Sequence, residues 1–175
     1  MESKQFEDKL RRINECEVSL THQTTARNAI SILEHGLMSW YDTLDRKIKV
    51  EENGYANPGY FPGYVSLFEN PHIIFGGGGF VPDICRVNLI IDPKYINVSE
   101  KHKEFCHYIY DGVIPPEDIL GMISDLNPGQ LMELQRERLQ ELTPVFFYDR
   151  PQKEFKGLYV PEWLEVSDEV KTRIK

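Results

Sequence analysis

Only three cysteines occur in this chain of 175 residues, Cys16, Cys85 and Cys106, odd in number and far apart. With no CxxC pair and no Cys/His cluster of metal-ligand spacing, neither a disulfide framework nor a zinc site is suggested. Three buried thiols are the plainer expectation. No apolar run approaches the roughly 18 to 20 residues that a membrane-crossing helix needs, and residues 1–12 are charged where a secretory signal would turn apolar. The expectation is a soluble, cytoplasmic protein without a membrane partner. Positive charge is also scarce: 20 Lys and Arg stand against 28 Asp and Glu, a formal net charge of −8. Non-specific binding to a phosphate backbone draws on counterion release by Lys and Arg, so nucleic acid is disfavoured as a partner. Arg46-Lys47-Ile48-Lys49 and Lys101-His102-Lys103 are the local exceptions, each expected to be a solvated charged face or loop. The chain has no internal repeat, and its one low-complexity segment is residues 76–79, four glycines. A Walker loop would place Lys-Ser/Thr after the last glycine, but Phe80-Val81-Pro82 follows, so a flexible surface loop is expected there.

What is present suffices for one domain spanning residues 1–175, being 41% hydrophobic and 27% charged. The periodicities predict an α+β fold. Phe6, Leu10 and Ile13 fall at helical spacing, so a helix is expected over residues 3–15 and a short strand over 18–22. Thr24 or Thr25 is placed to cap a second helix with the apolar stripe Ala26, Ala29, Ile30, Leu33 and Leu37, and Gly36 lies where a helix-ending glycine belongs. Residues 38–62 read as a long loop, broken by Asn53-Gly54, Asn57-Pro58-Gly59 and Pro62-Gly63. Strands are predicted over residues 64–68, 86–91, 104–110, 119–123 and 144–148, with residues 73–75 extending or following the first of them. Asp111-Gly112 is a hairpin-type turn signal, and a charged helix is predicted over residues 130–141 with Leu131, Leu134 and Leu139 inward.

Three blocks of this sequence carry a family likeness. His22-Gln23-Thr24-Thr25, followed by Ala29, Ile32-Leu33 and Gly36-Leu37, resembles the opening strand and helix of NAD+-dependent ADP-ribosyltransferases. Gly63-Tyr64-Val65-Ser66-Leu67 is similar to their Tyr-bearing strand. Glu104-Phe105-Cys106-His107-Tyr108, with Ile114-Pro115-Pro116-Glu117-Asp118-Ile119 after it, resembles the Glu-bearing strand and the Ile-Pro segment that follows. The likeness is to the His-Tyr-Glu type, the poly-ADP-ribose-polymerase-like and DarT-like members, and it covers residues 18–123. A looser similarity to the tail of DarT-type toxins runs through Pro144-Val145-Phe146-Phe147 and Leu158-Tyr159-Val160-Pro161-Glu162-Trp163.

The resemblance implies a split β-sheet core with flanking helices and NAD+ as co-substrate. It also implies mono-ADP-ribosyl transfer to a macromolecular acceptor, protein or nucleic acid, in the manner of a bacterial or phage toxin or effector with an antitoxin or inhibitory partner. An NAD+ glycohydrolase, or a regulatory domain that keeps the fold without activity, is the alternative. Chemistry explains the residue types: cleaving the nicotinamide bond leaves an oxocarbenium-like ribose, which a carboxylate stabilises. The cationic nicotinamide gains about 1 kcal/mol or more from an aromatic face. By resemblance Glu104 is the catalytic carboxylate, Tyr64 the aromatic face and His22 the ribose ligand. Gln23, Thr24 and Ser66 join His22 and Tyr64 as cofactor-binding positions, and no metal is implied. The interval to the Ile-Pro segment leaves His107 and Glu117 as alternatives to Glu104.

Overall fold

The computed structural model describes residues 1–16, 18–49, 63–70, 86–102, 107–124, 133–149, 154–160 and 164–168. Helix α1 (Ser3–Asn14) turns Phe6 and Leu10 inward, as their spacing dictates. Strand β1 (Ser19–Thr25) runs three residues beyond the predicted strand, straight into helix α2 (Ala26–His35). Thr25 ends the strand because its hydroxyl accepts the Asn28 backbone N–H at 3.2 Å, capping α2. Gly36 ends α2 at φ 91°, and an added Cβ would stand 2.8 Å from the Ile114 carbonyl oxygen, so glycine is required there. Leu37 and Ile114 exchange both backbone hydrogen bonds at 2.8 Å, joining two blocks that the family likeness singled out.

The loop expected over residues 38–62 contains helix α3 (Trp40–Asp45). Ser39 Oγ accepts the Asp42 N–H at 3.1 Å and donates to the Asp42 carboxylate at 2.6 Å, a reciprocal cap that starts the helix. The strands that follow are β2 (Val65–Asn70), β3 (Arg86–Ile91), β4 (Glu100–His102), β5 (His107–Tyr110) and β6 (Ile119–Ser124). Helix α4 (Glu133–Leu142), β7 (Val145–Asp149) and β8 (Glu154–Tyr159) complete the order, with 3₁₀ turns at Pro93–Asn97 and Pro116–Asp118.

All eight strands form one sheet in the order β4-β5-β2-β1-β3-β6-β7-β8. β6 and β7 pair in parallel, which α4 makes possible as the crossover between them. The Asp111-Gly112 signal does not make a hairpin: β5 pairs with β2 and β4, while β6 pairs with β3 and β7. Gly112 has φ 144° and leads instead into the Leu37–Ile114 bridge.

Alternation along each strand sorts the core into two layers. On one face Leu20, Leu67, Leu89, Ile91 and Met122 pack with Ala29 and Leu33 of α2 and Leu139 of α4. On the other, Ile90, Leu120, Ile123 and Phe146 pack with Phe6 and Leu10 of α1, and with Leu164 and Val166. The chain is an α+β protein built around one mixed sheet.

Candidate functional site

β1 is the strand on which the sheet divides unequally. It pairs with β3 over six rungs, Leu20↔Ile91 to Thr25↔Arg86, but with β2 over three, Ser19↔Asn70 to Thr21↔Phe68. Past Thr21 the two strands part, and His22 is the first residue beyond the ladder. Its Nδ1 lies 2.9 Å from the Ser66 carbonyl oxygen, so a side chain bridges the gap where a backbone pair has ceased. A carbonyl only accepts, hence Nδ1 carries the proton. Burial pushes the imidazole pKa below its ordinary value, against the opposing pull of the Ser66 carbonyl. A neutral ring with Nδ1 protonated leaves Nε2 as a hydrogen-bond acceptor, the form that receives a hydroxyl.

Tyr64 stands just ahead of β2 and is 45% exposed, which suits a ring that receives a ligand. Beside it, a Cβ built on Gly63 would lie 3.6 Å from Cδ2 of Tyr41 in α3, itself 57% exposed. Two accessible tyrosines therefore flank Gly63 at one end of the gap. The His and Tyr blocks meet through Ser66, whose backbone holds His22 two residues from Tyr64. Gln23 and Thr24 are half-buried on β1, paired with Asn88 and Val87 of β3.

Glu104 lies outside the described residues. β5 begins at His107, whose Cα partner is Phe68, in turn the partner of Thr21. Among the alternatives to Glu104, His107 is thus two strands from β1 on the β2 side, though its side chain is not among those described. Glu117 lies on the other side of β1, exposed in the 3₁₀ turn before β6, and its backbone carbonyl accepts from Arg12 Nη1 at 3.1 Å. His22 stands between these two directions.

No protein-family model matches the chain, and no curated protein matches it in sequence. The site's reading consequently rests on its own geometry. Among the described residues no group of three or more His, Cys, Asp or Glu is placed to hold a metal ion, and no helix is long and apolar enough to cross a membrane.

Two clusters escaped the sequence reading. Arg12 contacts Asp92 and Asp118, Lys94 Nζ lies 2.7 Å from Asp118, and the Tyr95 phenol donates to Asp118 at 2.7 Å. Burial alone would raise the Asp118 pKa, but hydrogen bonds from Lys94, Tyr95 and Arg12 outweigh it and hold the carboxyl below its usual range. This network fastens α1 to the two 3₁₀ turns. The second cluster, Glu69 with Tyr108 and Lys101, sits on β2, β5 and β4. Its one signal in the sequence is strand alternation, which puts Glu69 on the face of Val65 and Leu67, both buried. Alternation gives the face but names no partner.

Proposed function

We propose that this protein is a mono-ADP-ribosyltransferase that uses NAD+ to modify a macromolecular acceptor, on an α+β core whose sheet is continuous and not split as the family likeness implied. The observation that carries the reading is the parted β1–β2 seam, bridged by His22 and Ser66 with Tyr64 exposed at its end. The seam lies between the two blocks on which the family likeness is most explicit. NAD+ would supply a cationic leaving group and an activated ribose. In this reading Tyr64 stacks on the nicotinamide, and the Nε2 of a neutral His22 accepts a ribose hydroxyl. Gln23 and Thr24 belong to the same strand end, and Glu104, outside the described residues, is the proposed catalytic carboxylate. The cytoplasmic setting and the toxin-like role with an antitoxin partner belong to the same proposal.

NAD+ labelled on its adenosine side tests it. The expected result is label on a macromolecule, with Tyr64→Ala raising KM by about fivefold for the loss of about 1 kcal/mol of ring contact. Free labelled ADP-ribose in place of transfer would mean a glycohydrolase. Intact NAD+ after incubation with folded protein would mean a binding domain and end the enzymatic reading.

A further inference from the structure

Three neighbouring strands are tied by three side chains on one face of the sheet. The Tyr108 phenol of β5 donates to Glu69 Oε2 of β2 at 2.7 Å, and Lys101 Nζ of β4 lies 3.5 Å from the same oxygen. The Lys101 ammonium also sits 5.3 Å over the Tyr108 ring. Tyr108 pairs in register with Leu67, so its phenol reaches along the sheet to the residue two further on. Its hydrogen bond to Glu69, then burial, raise the phenol pKa, so Tyr108 remains a donor through the neutral range.

The backbone gives these strands little hold of their own. β4 joins β5 over three rungs, and β5 joins β2 over four. An isolated two-stranded pair of that length is marginal in water. The clamp crosses both seams at once, near the His102↔His107 rung where the described ladder ends. His107, one of the candidates for the catalytic position, opens β5, while Glu104 lies outside the described residues.

We infer that Glu69 is a positioning residue that acts through Tyr108 and Lys101 to set the β4–β5 pair against β2, and with it the His107 end of β5. Its catalytic part rests on the function proposed above; its mechanical part does not. Tyr108→Phe removes only the donor, Glu69→Met removes the acceptor, and Glu69→Gln keeps an oxygen for the phenol.

Amide hydrogen exchange and steady-state NAD+ cleavage on the full chain are the two readouts. In Tyr108→Phe and Glu69→Met, exchange of the β4 and β5 amides is expected to rise about tenfold while β3 and β6 amides keep their rates. In the same variants kcat falls about tenfold with KM within about twofold, the double variant is no worse than either single one, and Glu69→Gln recovers most of the loss. Unchanged exchange in the folded variants would overturn the inference, whether or not the protein turns over NAD+. Faster exchange with wild-type kcat would overturn the positioning role and leave only a structural tie. A wild-type protein that does not consume NAD+ would defeat the proposed function, with the exchange result still deciding the clamp.

Discussion

On the side of the sheet covered by α1, Ile90 of β3 is 4% exposed, while Phe68 of β2, which shares the Thr21 rung with it, is 43% exposed. The β3–β6–β7 half carries core on both faces, from α1 on one side and from α2 and α4 on the other. The β2–β5–β4 half has three-rung seams on either side of its β2–β5 pair, crossed by side-chain ties from His22 to Ser66 and from Lys101 to Glu69 and Tyr108. Stability within a fold is unequal, and sites that must admit a ligand are drawn from its weaker parts. The candidate site lies on the boundary between a heavily packed half and a lightly held one.

The largest effect should separate the halves directly. Leu89→Ala, at a fully buried β3 position, is expected to cost about 2–5 kcal/mol in denaturant unfolding, and Phe68→Ala about 1 kcal/mol or less. Equal losses at the two positions would erase the contrast.

The second prediction concerns Lys9, by which α1 grips the packed half. Its ammonium is buried and donates to the Ile119 carbonyl at 2.7 Å and the Pro116 carbonyl at 3.3 Å. Burial, helped by the neighbouring Arg12 charge, lowers its pKa from 10.5 to about 8, against the pull of Glu117 and Asp118. Between those two values the unfolded chain binds more protons than the folded one, so stability should rise with pH across the window, by about 3 kcal/mol in all. Chemical denaturation from pH 7 to 11 measures this rise; a Lys9→Met variant with the same slope would remove Lys9 as its cause.

Gly36→Ala probes the link between α2 and the segment leaving β5. The positive φ and the approach to the Ile114 carbonyl should together cost about 2 kcal/mol. If thermal unfolding shows the variant within error of wild type, the bridge yields more readily than its geometry implies.

Much of the packed half was legible in advance. The Phe6 and Leu10 spacing and the Ala29 and Leu33 stripe each record a local period that burial enforces, and the branched run of Arg86–Ile91 marks a strand buried on both faces. The lightly held half was harder to read. In the segment that forms α3, the cap signal Ser39-x-x-Asp42 is outweighed by the turn residues that follow it. β4 went unpredicted because three residues hold too little pattern.

By itself the sequence determined the two helix faces, the Thr24-or-Thr25 cap and the glycine stop at Gly36, since these depend on neighbours within a turn or two. Only the tertiary structure decided that β1 parts from β2 after Thr21, that His22 finds the Ser66 carbonyl and that Glu69 finds Tyr108. Those partners are separated by about 40 residues of chain, and no local period encodes which strand will lie beside which. That choice is made by how the whole sheet buries its two faces at once.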